Sequence, residues 1–104
     1  MSNAWAQVIA EGPDDLRAIL IESIHADLHH AFESLDARKF ERIGYLIHRL
    51  KGSASLIGAT AEVAFDACCL VERVSRECGL DLMHELLTQV ENAFNEALKA
   101  LDHS

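Results

Sequence analysis

One short run carries most of the chemical potential of this chain: His48-Arg49-Leu50-Lys51-Gly52-Ser53. It lies in a segment with helical periodicity. Residues three and four apart on a helix are neighbours in space, so Lys51 and Gly52 stand beside His48, as do Gly44 and Tyr45 on the preceding turn. An imidazole with a primary amine one turn away pairs a nucleophile or proton carrier with a cation, a combination suited to an anionic group. Glycine inside a helix costs about 1 kcal/mol relative to alanine, and this segment places one four residues to either side of the same histidine. Both lack a Cβ. The predicted result is a gap in side-chain cover wide enough for something as large as another protein's active site to reach the ring.

The charge pattern points the same way. The chain has a formal net charge of −8, yet five of its nine basic residues (Arg38, Lys39, Arg42, Arg49 and Lys51) fall on the segment that carries His48. No acid occurs from Arg42 through Ala61. The overall charge argues against nucleic acid or an anionic membrane as partner, since both require basic surface. A local basic stripe on an acidic protein fits an anionic group or an acidic pocket on a partner. Its competing explanation is an ordinary solvated helix face. A related alternative is a helical adaptor that binds a partner through this stripe without covalent chemistry.

A second cluster of imidazoles lies earlier in the chain. His25 and His29 are four apart, with Glu22 and Glu33 on adjoining turns, a spacing that zinc can use. Without the rest of a zinc motif, the default for this face is solvation. The chain has no Gly-rich phosphate loop, no Gly-x-Ser-x-Gly elbow and no Cys-x-x-Cys. Three cysteines, two of them adjacent, do not form a disulfide framework, because Cys78 is ten residues from Cys68, about 15 Å along the same predicted helix. They read as small apolar residues of a cytosolic protein. No uncharged apolar run approaches the roughly 18 residues of a membrane span, and the N-terminus lacks the regions of a signal peptide.

The elements that must hold His48 follow from the apolar spacing. Met1-Ser2-Asn3-Ala4 reads as an expression remnant, and Trp5, Val8 and Ile9 as one face of a short capping helix that Gly12-Pro13 interrupts. Pro13, Asp14 and Asp15 start a long helix, with proline in its first turn and acids at the positive end of its dipole. Leu16, Leu20, Ile24, Leu28, Ala31 and Leu35 form its inner face. Asp36-Ala37 is the only predicted break before the second helix, with Asp36 as its cap. In the second helix Phe40, Ile43, Ile47, Leu50, Ala54 and Ile57 alternate steps of three and four, the seam of a bundle helix. His48 projects about 130° from the centre of that seam, toward solvent. Gly58 ends the helix. Thr60 or a neighbour starts a third, with Ala61, Ala64, Phe65, Cys68, Val71 and Cys78 inward and Gly79 as its stop. Asp81 starts a fourth, with Met83, Leu87, Val90, Phe94, Ala97 and Leu101 inward. The prediction is an all-α, antiparallel up-down-up-down four-helix bundle with a short N-terminal capping helix. Residues 1–12 form the N-terminal segment and residues 13–104 the bundle.

The run His48-x-Leu50-Lys51-Gly52-Ser53-Ala54, followed by Gly58-Ala59, resembles the signature of histidine-containing phosphotransfer (HPt) domains of bacterial phosphorelays. The helix order is similar to that family over residues 14–101. Glu62 stands where the family tends to have leucine, its Cys-x-x-Leu-Glu pattern is displaced to Cys68-Cys69-Leu70-Val71-Glu72, and Leu46 and Ile47 replace smaller residues. The resemblance implies that His48 takes a phosphoryl group from the aspartyl phosphate of a receiver domain and passes it to a second receiver, without binding ATP. On this expectation His48 is the nucleophile, Lys51 offsets charge on the transferred oxygens, and Gly52 gives access. Ser53 or Ser55 supplies a hydroxyl, and the partner meets Tyr45, Arg49, Gly52, Ser53 and Ser55. This chain binds no cofactor or metal of its own, and Mg²⁺ is expected in the receiver. The resemblance places such a domain either free-standing in the cytoplasm or at the C-terminal end of a hybrid sensor kinase.

Overall fold

A computed structural model describes residues 14–74 and 79–102. Four α-helices follow one another: α1 (Asp14–Asp36), α2 (Phe40–Ile57), α3 (Glu62–Arg73) and α4 (Leu80–Asp102). A single 3₁₀ turn, Ala59–Ala61, leads into α3. No strand occurs among the described residues. Each helix packs on the next and α4 closes on α1, so short links generate an up-down-up-down four-helix bundle measuring 42 × 21 × 21 Å. The predicted capping helix and Cys78 lie outside the described residues. No described helix is long and apolar enough to cross a membrane.

Apolar spacing accounts for the core. Ile24, Leu28, Ala31 and Leu35 of α1 are buried, as are Ile43, Ile47, Leu50, Ala54 and Ile57 of α2. Leu46 joins the second set, widening the α2 seam beyond its three-four spacing. All six residues expected inward on α4 are buried, with Leu86 and Leu98 beside them. Leu16 departs from expectation at 42% exposure. Leu16 lies in the first turn of α1, at the end of the helix.

Two boundaries correct the sequence expectations. Asp36 does not cap α2. It is the last residue of α1, and Lys39 holds the N-cap position of α2 with no side-chain cap. Reversing the chain takes a three-residue turn in which Arg38 adopts φ 58°. The Arg38 N–H donates to the Leu35 carbonyl at 3.0 Å and the Lys39 N–H to Ser34 at 2.7 Å. This is the pair of bonds that closes a Schellman motif, with arginine in the left-handed position usually given to glycine. The third helix, in turn, stops at Arg73 well before Gly79, because Val74 turns extended at ψ 135°. Gly58, at φ 91°, ends α2 as expected.

Candidate functional site

The seam that buries Ile47 and Leu50 sends His48, which lies between them in sequence, outward, and its side chain is 75% exposed. A Cβ built at Gly44 or at Gly52 meets no atom within 4 Å. Neither glycine is therefore needed for helix packing. The rival explanation of Gly52 as a close helix contact has nothing to contact. Together the two positions leave the face of α2 bare for one turn on each side of the imidazole.

A residue without a role in the sequence analysis faces this histidine from α3. Glu72, near the end of α3, accepts a hydrogen bond from Lys51 Nζ at 2.7 Å through Oε1. Its other oxygen lies 3.8 Å from His48 Nδ1. That distance exceeds a hydrogen bond, and a carboxylate on the Nδ1 side favours the tautomer with hydrogen on that nitrogen. The Glu72 hydrogen bond holds the Lys51 amine above its ordinary range, against an opposing contribution from desolvation. Lys51 also passes 5.9 Å from the centre of the Phe65 ring. The only hint of Glu72 in the sequence was its place in the displaced Cys68 to Glu72 pattern.

On the other flank, Arg49 Nε donates to Asp27 Oδ2 of α1 at 3.2 Å. Its guanidinium lies 5.9 Å from the centre of the Tyr45 ring. Hydrogen bonds to Tyr45 and then Asp27 raise Arg49 above its usual range. Asp27 is a buried carboxylate at 5% exposure, and it too lay outside the sequence reading. Two of the five cations in the basic stripe are thus matched by acids from α1 and α3. The stretch without acids, read along α2, is therefore partly balanced in three dimensions, at Arg49 and Lys51.

The hydroxyl residues separate. The Ser55 hydroxyl donates to the Lys51 carbonyl at 3.2 Å, a bond along its own helix. Ser53 stands about 140° round α2 from His48, and the structure does not bring it to the imidazole. Tyr45, at 58% exposure, shares the face of His48. On α1, His29 Nε2 pairs with Glu33 at 3.4 Å on an open surface. Among the described residues no group of three His, Cys, Asp or Glu side chains is placed to hold a metal ion. Of the cysteines, Cys68 is buried and free. Desolvation, the largest cause, pushes its thiol up to about 12.

Chemically, the arrangement offers one exposed imidazole, its proximal nitrogen facing a carboxylate, with an amine one turn on and clear approach from solvent. The sequence model of the Hpt domain matches residues 15–103. No curated protein matches the chain, and no solved structure does.

Proposed function

The chain belongs to the Hpt domain family, and from that premise we propose that His48 accepts a phosphoryl group from the phosphoaspartate of one receiver domain and yields it to the aspartate of another. Hpt domains are phosphotransfer carriers of phosphorelay signalling and interact with receiver domains. The observation that supports His48 as the carrier is its exposure on a face of α2 that two glycines leave open.

In the proposed step, the Nε2 lone pair forms the N–P bond as the P–O bond to the receiver aspartate breaks and that carboxylate leaves. The ring then carries phosphate on Nε2 and hydrogen on Nδ1, the side that faces Glu72. Lys51, which Glu72 holds one turn from the ring, lies within a side-chain rotation of the phosphoryl oxygens and offsets their charge. The carboxylates and magnesium ion of the reaction belong to the receiver. Gly52 admits the receiver, and Tyr45 and Arg49 form part of the surface it covers. The reverse step returns the group to a second receiver, and the same scheme serves a free-standing protein or one domain of a hybrid sensor kinase. NMR of the imidazole after labelling with phosphoramidate tests this scheme, followed by a chase with an unphosphorylated receiver. The reading expects phosphate on Nε2 of His48 and its loss to the receiver. Phosphate that is absent from His48, or that no receiver removes, overturns it.

A further inference from the structure

Gly44 raises a separate question, because Gly52 alone suffices to open the turn after His48. It stands in the interior of α2, where glycine costs about 1 kcal/mol relative to alanine, and no atom comes within 4 Å of the place its Cβ would take. The fold gives no packing reason for it. What the missing side chain does leave open is a cleft of about 220 Å³, bordered by Gly44 and floored by Phe40, Ile43, Ile47, Val71, Val74 and Met83. Glu72 stands on its rim.

From these features we infer that this cleft is a socket for one large apolar side chain of the docking receiver, and that Gly44 sets which receivers fit. The inference rests on the relay reading above. Its first support is continuity: Gly44 lies on the His48 face, four residues and about 6 Å along the helix before it, within the footprint of any domain whose aspartate reaches the imidazole. Its second is size, since an apolar cavity of about 150 Å³ holds a benzene ring and this cleft is larger. Its third is charge. The one acid on the rim is already paired with Lys51 at 2.7 Å, so the cleft neither calls for a cation nor repels an apolar group.

The test uses the full chain with Gly44→Ala and Gly44→Leu beside wild type. Leucine is a good helix former and meets nothing at its Cβ, so both variants keep the fold and melt no lower than wild type. The socket predicts that Gly44→Leu fills the cleft and raises the receiver KM for transfer about tenfold or more, with Gly44→Ala between it and wild type. Labelling of His48 by phosphoramidate, which needs no docking, falls by a clearly smaller factor than transfer from the receiver. Unchanged receiver kinetics in Gly44→Leu overturn the socket, as does an equal loss with receiver and phosphoramidate. A wild-type chain that exchanges phosphate with no receiver overturns the relay reading instead, and the socket falls with it.

Discussion

Replacing Gly52 with alanine separates a glycine kept for packing from one kept for access. No atom lies within 4 Å of the added methyl, so the substitution creates no clash, and Gly52 is exposed in the interior of α2. Relief of the helix penalty is then worth about 0.5–1 kcal/mol in favour of the variant. For a domain near 100 residues this raises the melting temperature by about 2–5 °C. The methyl nevertheless stands on the face of His48 one turn further on, where the proposed transfer brings in the receiver. Transfer from a phosphorylated receiver should fall by tenfold or more, because small misplacements of reacting groups cost up to about 10²-fold. Thermal denaturation and single-turnover transfer on the same preparation check both halves. A variant that is less stable, or that is more stable and transfers at the wild-type rate, refutes the access argument.

Glu72→Ala should slow phosphoramidate labelling of His48 about tenfold by releasing the ring and Lys51, with Glu72→Gln restoring much of the rate. The receiver KM should move little, and a change confined to KM would assign Glu72 to docking. Arg38→Gly should stabilise the chain by about 1 kcal/mol, since it removes the left-handed strain at φ 58° from the turn between α1 and α2, and denaturant titration reads this directly. Cys68 carries a pH signature. Its folded thiol titrates at about 12 against an ordinary 9.0, so the folded state keeps a proton that the unfolded state loses. The resulting stability is fully present below pH 9 and declines as pH rises from 9 toward 12, by up to about 1.4 kcal/mol per pH unit. Cys68→Ala should flatten that decline relative to wild type in urea titrations at pH 8 to 10.5, and parallel curves would contradict the assignment.

How much of this was legible in the sequence depends on how local each determinant is. The α2 seam and the outward direction of His48 follow from spacing within one helix, so period alone placed them. Gly58 ended α2 where its conformational freedom suggested. The turn at Arg38 was missed because nothing in the residue type announces a left-handed backbone; two carbonyls of α1 impose it. The early end of α3 was missed because Gly79 is the stronger local stop signal, whereas nothing in the residue type of Val74 announces the extended backbone that ends the helix. Asp27 and Glu72 lie 22 and 21 residues from Arg49 and Lys51. Only the packing of three helices brings these acids to the basic stripe, and no spacing rule along α2 shows them. The open space at Gly44 and Gly52 was anticipated from their cost, whereas the cleft beside Gly44 required the third and fourth helices to be in place.

The central claim is that His48 carries a phosphoryl group. Its most direct test is incubation of the purified chain with a panel of phosphorylated receiver domains, read by intact mass, with wild type beside His48→Gln. The account predicts a gain of one phosphate that is acid-labile and base-stable and that the variant does not acquire. The same gain in His48→Gln, or no gain by wild type across the panel, would contradict it.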